Sequence, residues 1–158
     1  LALRRNKGIP CTVTWVGDGK YKMEMIEYAK QKGVSDRISF IGLLPAGEAV
    51  RRKLYEHNLF ILVSRTEGLP RALIEAMASG TYCIATRVGG IPELLDDEWL
   101  IDANSPEQLA EAIEKSIDNP SLVTKQVEQN LVTVRDYAED KLKLRRVNFY
   151  NELKRISV

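Results

Sequence analysis

The chain has 158 residues, a net charge of +1 and a hydrophobic share of 44%. That length suits one domain with a real core, the apolar share excludes a disordered chain, and the near-neutral charge gives no footprint for nucleic acid. No run is apolar for long enough to cross a membrane, and no secretory leader is visible.

The first residues, Leu1-Ala2-Leu3-Arg4-Arg5, read as the end of a helix, so the chain is expected to begin inside a larger protein. Cys11 to Val16 is β-branched and aromatic and closes at Gly17-Asp18-Gly19, which predicts a buried strand and a tight turn. Residues 20–32 carry Tyr21, Met25, Ile26 and Ala29 at helical spacing, and Gly33 stops them. A short strand follows at 38–41, then a helix at 46–57. Leu59 to Val63 is continuously apolar, as expected for a strand covered on both faces. A third helix spans 70–79 with Gly80 as its stop, and a fourth strand spans 82–86. Val88-Gly89-Gly90 leads into a short helix at 91–96, and Trp99 to Ile101 is a last brief strand.

Ser105-Pro106-Glu107-Gln108 reads as a helix start: serine caps, proline takes the first position, and Gln108 can close a capping box. Asn119-Pro120 punctuates a helical remainder over 121–156, whose last helix, 137–155, mixes Lys141, Lys143, Arg145, Arg146, Lys154 and Arg155 with apolar residues. Basic amphipathic helices can lie on anionic membranes, but Glu139, Asp140 and Glu152 favour a solvated face here. Cys11 and Cys83 each sit in an apolar run and are expected to be buried free thiols in a reducing compartment. The single histidine, His57, lies at a helix end and is expected to cap it or be solvated rather than to catalyse.

Strands alternating with helices predict a single α/β domain over 1–158, with an open parallel sheet and helices on both faces. Ligands in such folds bind where strand C-termini meet helix N-termini, which directs attention to loops 17–19, 42–45, 64–70 and 87–91. The segment 64–80 is the most informative. A helix N-terminus there offers unpaired amides and partial positive charge to a phosphate. Pro70 has no N–H, so donors would come from Leu69, Arg71 and Ala72. With Leu73 at the centre of the buried stripe, Pro70, Ile74 and Met77 share its face and Glu75 lies nearly opposite. Spacing favours an Arg71–Glu75 surface ion pair, and leaves open a cleft carboxylate that binds the paired hydroxyls of a sugar. Glu67 is equally open between a helix-dipole partner and a site residue.

The run E-G-L-P-R-A-L-I-E-A-M-A-S-G at 67–80, followed by C-I-A-T-R-V-G-G-I-P-E at 83–93, closely resembles the donor-binding signature of glycosyltransferase family four. Its two glutamates are separated by seven residues, as in that signature. W-V-G-D-G at 15–19, D-R-I-S-F-I-G at 36–42 and L-F-I-L-V-S at 59–64 match further landmarks in the expected order, over roughly residues 11 to 118.

The resemblance implies one half of a GT-B architecture, in which two Rossmann-like domains flank the active site. It implies that Glu75 binds the ribose hydroxyls of a nucleotide and that Glu67, the catalytic candidate, faces the transferred sugar. Gly68, Leu69, Pro70, Arg71 and Ala72 would line the diphosphate and sugar, Leu43 and Leu44 the base, and Gly17 would let backbone approach the phosphates. A plain turn requirement remains an alternative for Gly17, and more so for Gly89 and Gly90.

Two departures stand out: Pro70 replaces a common glycine, and Thr81-Tyr82-Cys83 replaces proline and small aliphatics. The family's diphosphate-binding arginine and lysine would lie upstream of Leu1, as would the acceptor domain, toward which the C-terminal helix (136–158) often packs.

The implied reaction is transfer of a sugar from a nucleoside diphosphate to an acceptor with retention, without a metal or other cofactor. The fragment alone is expected to be inactive. The implied setting is cytoplasmic polysaccharide biosynthesis. Peripheral contact with the inner membrane is open for the full-length protein and unsupported by this sequence. The competing readings are a non-catalytic nucleotide-sugar-binding module and a sugar-nucleotide epimerase of related fold.

Overall fold

A computed structural model describes residues 11–156. In chain order the elements are β1 (Val13–Val16), α1 (Lys22–Gln31), β2 (Ile38–Gly42), α2 (Glu48–Tyr55), β3 (Leu59–Leu62), α3 (Arg71–Ala78), β4 (Tyr82–Thr86), β5 (Leu100–Ile101), α4 (Pro106–Asp118), α5 (Pro120–Thr133) and α6 (Glu139–Ile156). Short 3-10 turns sit at Ser35–Arg37, Ile91–Glu93, Asp97–Trp99 and Val134–Tyr137. The reading of Leu1 to Arg5 lies outside the described residues.

Every strand ladder is parallel, as the alternation of strands and helices predicts. Hydrogen bonds divide the strands into a β1-β2 pair and a three-stranded group in the order β3-β4-β5. His57 joins the two parts. Its Nδ1 meets the Lys53 carbonyl at 2.8 Å, and its Nε2 meets the Thr14 hydroxyl in β1 at 2.7 Å. A carbonyl only accepts, so Nδ1 carries the proton. The histidine thus caps the end of α2, as expected, and also fastens it to β1.

The core centres on β4, all five of whose residues are buried. Leu73, Ala76 and Met77 of α3 join it in one cluster, with Leu54, Ile91, Leu94, Leu95, Trp99, Leu100 and Ile101. Full burial of side chains such as Leu73, Met77 and Ile84 contributes roughly 1.5–3 kcal/mol each. β3 differs from expectation. It borders the three-stranded ladder, its residues are half-buried, and Val63 beyond it is exposed. The strand covered on all sides is β4.

The helix starts follow local chemistry, with one correction. Ser105 accepts the Gln108 amide at 3.4 Å, with Pro106 in the first turn. Gln108 does not close a capping box. Its Oε1 accepts the Asp102 amide at 2.7 Å and its Nε2 donates to the Asp102 carboxylate at 2.9 Å, a partner nearer the strand end than the cap. Asn119-Pro120 repeats the device at α5, the Asn119 side-chain Oδ1 accepting the Leu122 amide at 3.2 Å. The helical remainder breaks at Ala138, which is extended, so the last helix starts at Glu139. Tyr21 precedes α1 and is exposed, leaving Met25, Ile26 and Ala29 to face inward.

Candidate functional site

The segment that joins β3 to α3 is held over the strand C-termini from several directions. The Thr86 hydroxyl, at the end of β4, donates to the Ser64 carbonyl at 2.7 Å. The Ser64 hydroxyl donates to the Glu67 carboxylate at 2.5 Å. The Gly90 amide donates to the Gly68 carbonyl at 2.8 Å, and the Arg65 guanidinium donates to the Asn104 side chain at 3.0 Å. The loop is therefore built rather than loose, and Glu67 is half-buried with its carboxylate oriented.

Pro70 is buried and acts as the cap residue of α3, in extended conformation, just before the helix rather than inside it. Its carbonyl accepts the Leu73 and Ile74 amides. The amides of Leu69, Arg71 and Ala72 have no backbone partner among the described residues, so they are the donors available at this helix end. Gly68 and Leu69 are exposed beside them.

Glu75 lies one turn further along α3, away from the buried Leu73, Ala76 and Met77. The ion pair anticipated with Arg71 is present but long, at 3.9 Å, and Arg71 is 86% exposed. Such a pair contributes little. Glu75 also lines a groove of about 160 Å³ between α2 and α3, with Gly47, Arg51, Tyr55, Ala78 and Ser79. Its carboxylate is thus half-accessible to a ligand.

Gly17 ends β1 with φ +128°, and its amide donates to the Gly42 carbonyl at 2.7 Å. A side chain there would meet nothing within 4 Å, so the backbone conformation requires the glycine, and the space above it is open. Leu43 beyond Gly42 is exposed and Leu44 is half-buried. Loops 17–19 and 42–44 meet at the carboxyl ends of β1 and β2, and loop 64–70 follows the carboxyl end of β3 in the other ladder. Sequence reasoning missed Ser64, Thr86 and Asn104. Thr86 and Asn104 act through partners distant in sequence, whereas Ser64 acts on Glu67 three residues on. Among the described residues no group of three or more His, Cys, Asp or Glu could hold a metal ion.

Parallel strands that alternate with helices, with free helix-terminal amides beyond a strand's carboxyl end, define a Rossmann-like α/β fold. The family described as "Glycosyl transferases group 1" matches residues 1–131, and the chain belongs to it. A phosphatidylinositol N-acetylglucosaminyltransferase component from Arabidopsis thaliana is 34% identical over 102 residues, 64% of this chain and 23% of that protein. The C-terminal domain of LpcC, a glycosyl transferase group 1 family protein from Francisella tularensis, superimposes with a TM-score of 0.75. It is 25% identical, over 85% of this chain and 73% of the other. Anabaena HepE, solved with UDP-glucose, superimposes with a TM-score of 0.77 at 22% identity, over 97% of this chain and 43% of that one. Solved neighbours of this kind are GT-B glycosyltransferases, and the chain has that α/β fold. It spans under a quarter of the length of the Arabidopsis relative.

Proposed function

We propose that this chain is the donor-binding domain of a retaining glycosyltransferase that moves a sugar from a nucleoside diphosphate to an acceptor. The observation that supports the reading is the built loop ahead of α3, where the Ser64 hydroxyl orients Glu67 near the free amides of Leu69, Arg71 and Ala72, with Glu75 open to a groove one turn along the helix. Glu75 accepts hydrogen bonds from ribose hydroxyls, the amides meet the diphosphate, and Glu67 faces the sugar. Leu43 and Leu44 lie along the base, and Gly17 gives the phosphates room.

Two carboxylates of this kind do not form a hydrolase pair, since one is engaged with ribose. The protein contributes positioning and charge stabilisation, and the leaving phosphate takes the acceptor's proton. No metal is needed in this scheme. A second domain, against which α6 packs, supplies the acceptor and further cations for the diphosphate. Placement of the protein in the cytoplasm belongs to the same proposal.

The test compares wild type, Glu75→Ala and Arg71→Ala. Uridine diphosphate is the first probe, because the Anabaena protein of the same fold was solved with UDP-glucose, followed by guanosine and adenosine diphosphates. Losing a charge-assisted bond to ribose should cost Glu75→Ala about 1.5–3 kcal/mol of affinity. Arg71→Ala should lose under about 1 kcal/mol of stability, with affinity nearly unchanged. Unchanged affinity in Glu75→Ala, with equal small stability losses in both, would leave Glu75 as a surface ion-pair residue.

A further inference from the structure

Gly89 and Gly90 lie directly beneath the loop that carries Glu67. A Cβ built on Gly89 would stand 1.8 Å from the Glu67 carbonyl oxygen and 2.7 Å from its carbon. One built on Gly90 would stand 2.6 Å from the Gly68 carbonyl oxygen, the same oxygen that accepts the Gly90 amide at 2.8 Å. These are approaches that only hydrogen atoms fit, so a turn requirement alone does not explain the pair. Gly90 has φ −84°, which any residue adopts, so it has no conformational need to be glycine.

One side of this contact must yield if a side chain is added, and the surroundings decide which. Below, the Arg87 amide is tied to the Ile101 carbonyl at 2.8 Å, and Ile91 is fully buried in the core. Above, Gly68 and Leu69 are exposed. Gly89 is itself exposed, but the lower segment runs straight into the core at Ile91, so the exposed residues 68 and 69, between the loop's anchors at Ser64 and the buried Pro70, are the ones displaced.

We propose that Gly89 and Gly90 are positioning residues. They set the height of residues 67–69 over the strand ends, and thereby fit the site to the distal phosphate and sugar of the donor. This rests on the donor-site reading above. Glu75 stands on α3, outside the contact, so the ribose end of the site is largely insulated from it. The pair therefore governs the part of the ligand beyond the first phosphate.

The test uses the full chain with Gly90→Ala, and with Gly33→Ala as control. Gly33 has φ +66° and nothing within 4 Å of its Cβ position, so alanine there strains the backbone far from the site. Uridine diphosphate and uridine monophosphate are titrated into each by calorimetry, with the guanosine and adenosine pairs as further probes.

Gly90→Ala should weaken the diphosphate by about tenfold or more and the monophosphate by less than about threefold, because ångström-scale misplacement acts on the groups it touches. Gly33→Ala should lower the melting temperature and keep both affinities. A folded Gly90→Ala that binds the diphosphate as wild type does, or that loses both nucleotides equally, overturns the inference while the donor-site reading stands. Wild type that binds no nucleoside diphosphate overturns both. If Gly90→Ala does not fold, exchange of the Gly90 amide in wild type decides. Saturating diphosphate should slow it, and an unchanged rate overturns the inference.

Discussion

Glu67 and Glu75 are held by different means, and that difference predicts different mutant behaviour. Glu67 is clasped by the Ser64 hydroxyl, whereas Glu75 has only the long contact with Arg71. On the proposed reading, Glu67→Gln should therefore lower turnover in a transferase that contains this domain while changing nucleoside diphosphate affinity by less than about 1 kcal/mol. Steady-state kinetics beside calorimetry checks this, and an affinity loss matching the turnover loss would place Glu67 on the nucleotide instead. Cys83 makes a second prediction. Burial pushes its thiol from an ordinary 9.0 up to about 12. A raised folded-state value gives stability that is full below about 9 and is lost as pH climbs toward about 12. Melting temperature should fall over that window, and less steeply in Cys83→Ala. Thiol reagents should label the half-buried Cys11 in the native protein and reach Cys83 only on unfolding. Of the two thiols expected to be buried, only Cys83 is fully so. At this scale the sequence spoke clearly where chemistry is local, as in the inward face of Leu73 and Met77. It was silent where a residue matters through a distant partner. Nothing near Gly90 in the chain announces Gly68 above it.

At the scale of elements, α5 does something that its polar sequence conceals. β5 is only two residues long and pairs with Ala85 and Thr86, which leaves the backbone of Cys83 unpaired on that side. Gln126 takes the place of a strand. Its Oε1 accepts the Cys83 amide at 2.7 Å and its Nε2 donates to the Cys83 carbonyl at 2.8 Å, with Asn130 donating to the same Oε1 at 3.4 Å. Gln126→Leu keeps the volume but strands two buried backbone groups, and should cost about 2–4 kcal/mol in chemical denaturation. A loss under about 1 kcal/mol would mean that water or a neighbour replaces the amide. The sequence reading placed a helical remainder over 121–156, and Asn119-Pro120 marked its start. A buried glutamine carries no sequence signal, because its partner is a strand end displaced by the fold. Gln108 failed its expected role for the same reason, since Asp102 lay in reach.

The whole molecule divides unevenly. The β3-β4-β5 half carries nearly all of the core, while the β1-β2 half exposes Trp15, Val16, Met23, Ile41 and Leu43. α6 buries no residue and exposes Leu144, Val147, Phe149, Tyr150 and Ile156. None of its residues is anchored in the core, so its amides should exchange with solvent faster than those of α3 in the 158-residue chain. Hydrogen exchange read by mass spectrometry checks this, and protection equal to α3 would contradict it. The same chain should not sustain multiple-turnover transfer, and its nucleotide affinity should match in chelator and in magnesium. A large gain with magnesium would count against the metal-free scheme. Fold class was legible because alternating strands and helices are encoded within short windows. The split of the sheet was not, because pairing between β1 and β3 depends on how the two halves settle.

The central claim is that loops 17–19, 42–44 and 64–72, with Glu75, form one nucleotide-sugar site. Amide chemical-shift mapping of the chain during titration with UDP-glucose, and then with guanosine and adenosine diphosphate sugars, tests it most directly. The account predicts saturable shifts gathered at Gly17, Leu43, Leu44, Gly68, Leu69, Arg71, Ala72 and Glu75 for at least one donor. Shifts that gather elsewhere, on α6 or the outer face of α2, or no saturable shift with any donor, would contradict it.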